Sequence, residues 1–397
     1  MNDDNPLPAG WNTTNVGACC QKPEYGFTES AVADEVGPKF FRITDIAENG
    51  VNWDTVPYCR CPENIFPKYE LKENDILFAR IGATTGKSYI VKNPPQAVFA
   101  SYLIRLRPLS NVIPDYLYYF FNSDGYWTQV NANKKNNLKG GVNSSTLSDI
   151  RFPLPSKKEQ QKIATILSKI QQAIEIQESL IEKTRELKNS TLNHVFTQGL
   201  RGEKKKETEI GPIPVSWSVQ RFEEFAILHR GYDLPIQDRT SGSVPIVGSN
   251  GVVGYHDQSK VKGPGVVTGR SGTIGISYYV ADDYWPLNTG LYVEDFHGND
   301  PLYVHYFFQS FNFGQHAAGV SVPTLNRNLV HAVLISVVPI VEQKEIAHIL
   351  KTIDQKIDLH EAKKSALQDL FKTMLNKLMM GEIRVKDLDI DISEVSA

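Results

Sequence analysis

Two long stretches of the chain place apolar residues at the spacing of a coiled-coil seam. In residues 338–381, eight of the ten heptad positions that start at Ile346 are apolar. In residues 154–200, six of the ten equivalent positions are apolar. Gln177 and His360 are matching polar breaks, which in such a seam set the register and do not point to catalysis. The pattern predicts two long helices that pair with each other.

The ends of the first helix carry recognisable signals. Ser156 followed by Glu159 is the spacing of a capping box, and Gly199 is a typical C-terminal stop. The second helix ends in the same way at Gly381, but it begins at "PIVE" (339–342) without the capping serine. Both helices are therefore expected to span some 40 residues.

Before each helix, the pattern changes to short alternating strands mixed with a few helices. "DILFARI" (75–81) and "YLIRLRP" (102–108) have the alternation of strands. "DYLYYFFNSD" (115–124) and "PLYVHYFFQSF" (301–311) carry aromatic residues at helical spacing, which predicts core packing against their own domains. The fold class is therefore α+β.

The sequence contains an internal repeat, and the second copy is offset from the first by about half the length of the chain. The pairs occur in the same order in both halves: "PLPAGW" (6–11) with "PIPVSW" (212–217), "FARIGATTGKSYIV" (78–91) with "TGRSGTIGISYYV" (268–280), "YLYYFFNS" (116–123) with "YVHYFFQS" (303–310), "GVNSSTL" (141–147) with "GVSVPTL" (319–325), and "EQQKIATILSKI" (159–170) with "EQKEIAHILKTI" (342–353). Two similar mixed α/β domains follow from this repeat.

The order of the segments predicts the architecture. A chain that leaves its first domain along one helix and returns along the other makes the two helices antiparallel, which gives a pseudo-two-fold dumbbell. The predicted segments are a first domain (1–153), a central helix (154–200), a linker (201–210), a second domain (211–337), a C-terminal helix (338–381) and an acidic tail (382–397).

Two motifs resemble catalytic loops but lack their context. "GATTGK" (82–87) has three residues between its glycines where a phosphate-binding P-loop has four, and the β-branched, proline-containing segment that follows cannot form the required helix. "NPPQ" (93–96) has glutamine in place of the base-stacking aromatic of adenine methyltransferases. The loop is therefore predicted to join two strands, and the two copies share an arginine, Arg80 or Arg270.

Composition limits the kinds of binding surface, metal site and cellular location that the sequence allows. The 397 residues carry a net charge of −3, and residues 381–397 hold five acids against two bases, so any nucleic-acid surface must concentrate its positive charge locally. The cysteines in "CC" (19–20) and "CRC" (59–61) lack zinc-site spacing and are expected to be reduced structural thiols. Neither a leader sequence nor a membrane span is recognisable, so a cytoplasmic location is expected.

Together these segments resemble the specificity subunit of type I restriction–modification systems. The resemblance rests on the duplicated "P-x-P-x-G-W" or "P-x-P-x-x-W" openings, the "P…EQ…IA…L" closings and the long helices that end in glycine. It implies that each domain is a target-recognition domain for one half of a bipartite, asymmetric site in double-stranded DNA. It also implies that the helices set the spacer and dock two methyltransferase subunits, which two restriction or translocase subunits can join.

Under this resemblance the chain itself is not an enzyme. It needs no cofactor, because S-adenosylmethionine, ATP and Mg²⁺ belong to the partner subunits. DNA recognition needs Arg, Lys, Asn or Gln side chains that reach base edges or phosphates. The DNA-binding candidates are Arg80, Lys87, Lys134, Lys135 and Lys139 in the first half, and Arg230, Asn250, Arg270, Asn326 and Arg327 in the second.

Two other classes stay open. A coiled-coil scaffold that binds only proteins explains the helices but leaves two duplicated domains without a function. A stand-alone DNA methyltransferase lacks a recognisable cofactor or catalytic constellation. Salt-dependent retention on DNA distinguishes the scaffold, and methylation by the purified chain without a partner distinguishes the enzyme.

Overall fold

The computed structural model describes residues 7–46, 50–136, 142–318 and 324–391, with the side chains of 133–136 and 318 left out. Its contacts divide the chain into two units, Met1–Glu178 with Ala362–Ala397, and Ser179–Glu361. Within the described ranges, none of the helices combines the length and apolar composition that crossing a bilayer requires.

The first half of the chain alternates short strands and helices before one long helix. Its strands are β1 (Asn12–Asn15), β2 (Glu24–Tyr25), β3 (Lys39–Phe41), β4 (Ile76–Ala79), β5 (Ser88–Ile90), β6 (Ala97–Phe99), β7 (Leu103–Leu106) and β8 (Arg151–Leu154). Its helices are α1 (Val16–Cys19), α2 (Phe66–Tyr69), α3 (Pro114–Phe120), α4 (Asp124–Asn136), α5 (Ser144–Ser148) and α6 (Lys157–Gln198).

The second half follows the same plan. Its strands are β9 (Lys205–Lys206), β10 (Ile213–Pro214), β11 (Ser218–Arg221), β12 (Ile227–Arg230), β13 (Val244–Gly248), β14 (Gly251–His256), β15 (Gly265–Gly269), β16 (Ser277–Val280), β17 (Trp285–Pro286), β18 (Gly290–Asp295), β19 (Ala317–Ala318), β20 (Thr324–Leu325) and β21 (Leu334–Val337). Its helices are α7 (Phe222–Phe225), α8 (Pro301–Ser310), α9 (Arg327–His331) and α10 (Ile340–Met379).

The sheets confirm the internal repeat. The main sheet has the order β2-β7-β4-β5 in the first half and β12-β18-β15-β16 in the second. The pair β1-β8 corresponds to β11-β21, and the parallel pair β3-β6 corresponds to the parallel pair β13-β17, to which β14 is added. The predicted mixture of strands and helices, with two long helices, is confirmed.

The aromatic helices form the cores, as predicted. Tyr116 and Phe120 of α3 are buried against Ile163 and Leu167 of α6, and the aromatic face of α8 forms the corresponding core of the second unit. The predicted seam of α10 is also buried or half-buried at every heptad position from Ile346 onward.

The two long helices pair with each other in both units, and in the second unit the pairing is antiparallel. In the second unit Lys188 bonds Asp354 at 2.7 Å and Arg185 bonds Glu361, so residue numbers rise along α6 while they fall along α10. In the first unit Lys364 bonds Glu178 at 2.8 Å. The pseudo-two-fold dumbbell as a whole stays a prediction.

The "EQ" dipeptide of each repeat secures the start of its long helix. Buried Gln160 accepts a bond from the backbone N–H of Ile113 at 2.8 Å and donates to the carbonyl of Pro155 at 2.9 Å. Gln343 accepts from the N–H of Asp300 at 3.0 Å and donates to the carbonyl of Val338 at 2.8 Å. Each glutamine thus ties the cap of the aromatic helix to the corner before the long helix.

Glu159 does more than the capping box predicts. Its N–H reaches the Ser156 hydroxyl at 3.4 Å, but its carboxylate accepts bonds from the Trp11 indole at 3.1 Å and from the Arg384 guanidinium at 2.8 and 3.1 Å. In the second unit, Glu342 instead accepts from the N–H of Leu200 at 2.6 Å. A buried carboxylate is costly unless it is hydrogen-bonded, and Trp11 and Arg384 supply these bonds. Glu159 therefore joins the N-terminal segment to the segment that follows α10.

A buried histidine in α8 makes stability depend on pH. His305 contacts the Ser277 hydroxyl through Nδ1 at 3.1 Å and the Gln309 amide through Nε2 at 2.8 Å, and burial lowers its pKa from 6.5 to about 4. Between pH 6.5 and pH 4, the imidazole is therefore protonated in the unfolded chain but neutral in the folded protein. Its contribution to the free energy of unfolding is fully present above pH 6.5 and is lost as the pH falls towards 4.

We expect the free energy of unfolding to fall by about 2 kcal/mol between pH 7 and pH 5 because of this one imidazole. Urea denaturation at the two pH values measures the difference. His305→Gln should remove that part of the pH dependence, whereas His194→Gln at an exposed position should retain it. Equal slopes in His305→Gln and the wild-type protein would contradict the assignment.

Candidate functional site

The two glycine-containing loops lie at the same place in the two repeats. Residues 80–87 join β4 to β5, and residues 270–276 join β15 to β16, each pair of strands being antiparallel. Gly82 and Gly86 have φ of 85° and 92°, and Gly272 and Gly275 have φ of 83° and 88°, which favours glycine. The strand-to-strand prediction is confirmed, and the phosphate-loop alternative fails because a strand follows instead of a helix.

The arginine at the start of each loop is held by matching backbone bonds. The N–H of Arg80 donates to Tyr102 at 3.0 Å, and the N–H of Arg270 donates to Thr289 at 3.0 Å. The carbonyl of Arg80 accepts from Val142 at 3.2 Å, and that of Arg270 accepts from Leu325 at 2.8 Å. The same backbone frame therefore surrounds Arg80 and Arg270.

This frame corrects one part of the predicted repeat. Val142 corresponds to Leu325, so the pairing of "GVNSSTL" (141–147) with "GVSVPTL" (319–325) is wrong by five residues. Residues 141 and 319–323 of these segments lie outside the described ranges. The next residue in each half, Asn143 or Asn326, is the N-cap of a short helix, α5 or α9. The first pairing rests on similar residue types, whereas the bonds to the two arginines identify the equivalent residues.

In the second unit the frame opens into a positively charged cleft. The cleft has a volume of about 570 Å³ and brings together Arg230, Arg270, Asn326 and Arg327, four of the five predicted residues of this half. The remaining lining residues are His229, Leu291, Thr324, Leu325 and Asn328. Within the described residues, no carboxylate lines the cleft; Asp233, outside it, lies 3.7 Å from Arg230.

Side chains of α9 hold this helix against β12. The Arg327 guanidinium donates to the carbonyl of Leu228 at 3.4 Å, and His331, one turn later, accepts from the N–H of Leu228 at 2.9 Å. Burial lowers the pKa of His331, which favours the neutral ring that this bond requires. Asn326 Oδ1 accepts from the N–H of Asn328 at 3.0 Å, so part of the role of Asn326 is to position the helix.

Asn250 lies outside this cleft. It is exposed in the turn between β13 and β14, and its side-chain oxygen accepts a bond from the hydroxyl of Thr273 in the arginine loop. Its predicted contact with DNA is not tested by this placement.

The first unit presents an aromatic surface at the same position. The Arg80 guanidinium lies over the Tyr25 ring, 4.8 Å from the ring centroid, and the Tyr25 hydroxyl accepts from the N–H of Ser144 at 3.2 Å. Tyr25 is 41% exposed and Tyr102 is 58% exposed. Tyr25, Asn143 and Ser144 were not predicted from the sequence; in the corrected repeat, Asn143 and Ser144 correspond to Asn326 and Arg327.

Of the predicted lysines of the first half, the structure describes the side chain of Lys87 alone. Lys87 lines a separate cavity of about 700 Å³ beside Trp127 and Tyr118. Lys134 and Lys135 fall in α4, where their side chains are not described, and Lys139 lies outside the described residues. Their contacts with DNA stay predictions.

The cysteines are free thiols. Cys19, Cys20 and Cys59 are buried and Cys61 is half-buried. Burial raises the pKa of Cys20 and of Cys59 to about 12, which keeps both thiols protonated and unreactive at neutral pH. Across the described ranges, no cluster of three or more His, Cys, Asp or Glu residues has the arrangement of a metal site.

Comparisons with known proteins match the whole organisation of the chain. The family model for the type I restriction modification DNA specificity domain matches residues 39–185 and again residues 214–369. The putative type I restriction enzyme MjaX specificity subunit of Methanocaldococcus jannaschii is 25% identical and covers 96% of this chain and 95% of its own length. The type I restriction enzyme MjaVIII specificity subunit of the same organism is 24% identical and covers 80% of this chain and 81% of its own length.

Solved structures agree in fold. The type I restriction–modification S subunit from M. genitalium has a TM-score of 0.61 at 16% identity, over 96% of this chain and 98% of that one. A chain from a study of complex assembly and conformational transition in the type I R-M system has a TM-score of 0.58 at 14% identity, over 95% of this chain and 100% of that one. At these identities the likeness is one of fold.

Proposed function

This chain belongs to the type I restriction–modification DNA specificity family, and we propose that each of its two target-recognition domains reads one half of a bipartite, asymmetric DNA site. The observation that carries the proposal is the matched frame around Arg80 and Arg270, which presents different side chains in the two domains. A shared scaffold with different exposed groups is what two different half-sites require.

The charge distribution supports a nucleic-acid partner. The whole chain has a net charge of −3, yet Arg230, Arg270 and Arg327 line one cleft of the second domain. Phosphate contacts and guanine recognition both use arginine, so a local cluster supplies what the overall charge does not.

The chain acts, in this proposal, without catalysis of its own. Two methyltransferase subunits dock on the long helices and bring S-adenosylmethionine, and restriction subunits that use ATP and Mg²⁺ can join them. Exposed apolar residues on helices that are already paired support such docking: Leu187 of α6 is 55% exposed and Leu359 of α10 is 57% exposed. The same helices set the number of unread base pairs between the half-sites.

Methylome sequencing tests this function. A host that expresses the chain with its cognate methyltransferase subunit should acquire adenine methylation at one split motif, and the methyltransferase subunit alone should produce none at that motif. Methylation by the purified chain alone, or a motif that persists when the chain is deleted, would contradict the proposal.

A further inference from the structure

Three positions around the shared arginine can be matched one by one between the domains. Tyr25 pairs with Ile104 between β2 and β7, and Arg230 pairs with Leu291 between the corresponding strands β12 and β18. A glycine follows each of the two residues: a Cβ on Gly26 would lie 2.2 Å from the carbonyl oxygen of Ala100, and one on Gly231 would lie 2.1 Å from that of Leu287. Tyr25 and Arg230 are therefore equivalent.

The second match lies on the short helices after the arginine loops. Asn143 and Asn326 cap α5 and α9, and the first residue of each helix is Ser144 or Arg327. Ser144 meets Tyr25 through its backbone N–H, and Arg327 lines the cleft with Arg230. The first domain thus presents tyrosine, arginine and serine where the second presents three arginines.

The residues that the domains share and those in which they differ have different uses. Phosphates are the same along every DNA site, so contacts to them can be made by Arg80 and Arg270 in both domains alike. Sequence must be read by groups that differ between the domains, which are Arg230 and Arg327 on one side and Tyr25 and Ser144 on the other. Arginine is the side chain that recognises guanine, through two bonds to its O6 and N7 atoms.

The geometry leaves these two arginines able to do so. Arg230 is exposed, and its nearest described carboxylate, Asp233, lies at 3.7 Å and outside the cleft. Arg327 is half-buried and uses one of its five N–H groups for the carbonyl of Leu228. Each guanidinium therefore keeps donors for a base edge.

Building on the proposed function, we infer that Arg230 and Arg327 determine specificity in the second domain by reading guanine, and that Tyr25 and Ser144 at the matching positions give the first domain a different half-site. Arg270 and Arg80 hold the phosphate backbone in both. The recognised half-site of the second domain accordingly contains at least one G·C pair.

Exchange of the matched residues tests this inference. The variants Arg230→Tyr and Arg327→Ser carry the side chains of the first domain, and Arg221→Ser removes an exposed arginine of the same domain outside the cleft. Each is purified as the complex with the methyltransferase subunit and used to select DNA from a library in which both half-sites are randomised. Salt dependence of binding is measured on the selected DNA, and thermal melting verifies folding.

We expect Arg230→Tyr and Arg327→Ser each to reduce the preference for guanine at one position of one half-site by about tenfold to a hundredfold. The other half-site, the salt slope and the selection by Arg221→Ser should match the wild type. Because Arg230 is exposed, its variant keeps the test decisive even if Arg327→Ser loosens α9.

Several results would overturn the inference. A wild-type half-site without guanine would do so, as would variants that bind every sequence more weakly with a shallower salt slope, since that is the behaviour of phosphate contacts. Unchanged selection by both variants would also overturn it. If the wild-type complex selects no split motif at all, the proposed function itself fails, which is a different outcome from these three.

Discussion

Replacing Asp75 by alanine is expected to lower the free energy of unfolding by about 3–5 kcal/mol. The carboxylate is 1% exposed and accepts two bonds from Arg107, at 2.7 and 2.8 Å, and one from the N–H of Lys72 at 2.9 Å. It also lies 3.8 Å from the guanidinium of Arg105, which is itself 3% exposed. The substitution therefore removes both bonds to Arg107, and it leaves the buried Arg105 without one of its two neighbouring carboxylates.

The remaining partners of Arg105 do not replace that carboxylate. Its guanidinium donates to the carbonyls of Glu70 at 2.7 Å and Lys68 at 2.9 Å, and it contacts Glu24, whose side chain is about half exposed. Carbonyl dipoles and a solvated carboxylate compensate a buried charge less well than a buried carboxylate does.

Urea denaturation at neutral pH measures the loss for Asp75→Ala. Asp34→Ala, at an exposed position, is the matched control and should stay within about 0.5 kcal/mol of the wild type. A denaturation midpoint of Asp75→Ala equal to that of Asp34→Ala would show that the Asp75 cluster does not stabilise the first domain.

The repeat could be predicted from the sequence because its strongest segments are the ones that pack. The "EQ…IA" segments bury Ile163 with Ala164 and Ile346 with Ala347, so their letters are similar in both halves. Residues 141–147 and 319–325 share Gly, Val, Thr and Leu at matching positions, but the backbone bonds to Arg80 and Arg270 show that Val142 corresponds to Leu325. A backbone bond does not depend on residue type, so similarity of residue types placed this segment five positions away from its true counterpart.

The role of the glutamines was hidden for a similar reason. Gln160 bonds a backbone group 47 residues earlier, and Gln343 bonds one 43 residues earlier. The repeat identifies the "EQ" dipeptide as common to both halves of the sequence. Only the fold shows that its glutamine fixes the start of the long helix by hydrogen bonds.

The candidate site was predicted unevenly in the two domains. In the second domain, residue type alone was enough to predict the site: Arg230, Arg270 and Arg327, which come from three separate segments, line the same cleft. In the first, the predicted Lys87 lies beside Trp127, whereas Tyr25, which contacts Arg80, was not predicted. An aromatic side chain that partners a cation is not recognisable until the strand that carries it is placed.

Lengthening both long helices by one heptad is expected to change the spacer of the recognised motif and leave its specified bases unchanged. A second copy of residues 172–178 placed after Glu178, and a second copy of residues 355–361 placed after Glu361, keep the seam in register. Each helix then gains about 10 Å, which corresponds to about three base pairs of rise at ~3.4 Å each.

Three base pairs also rotate one half-site relative to the other by about 100°, because one turn of DNA contains ~10.5 base pairs. Bending or twisting of the DNA has to absorb that mismatch, so we expect a spacer longer by one to three base pairs, together with weaker binding.

Methylome sequencing of the double-insertion variant with its methyltransferase subunit measures the motif directly. Insertion into α6 alone is the control and should abolish the motif, because the seam with α10 is then out of register. If the motif methylated with the double-insertion variant has altered bases and an unchanged spacer, the helices do not set the spacer length. The proposal that the domains read the bases while the helices set the spacing would then be wrong.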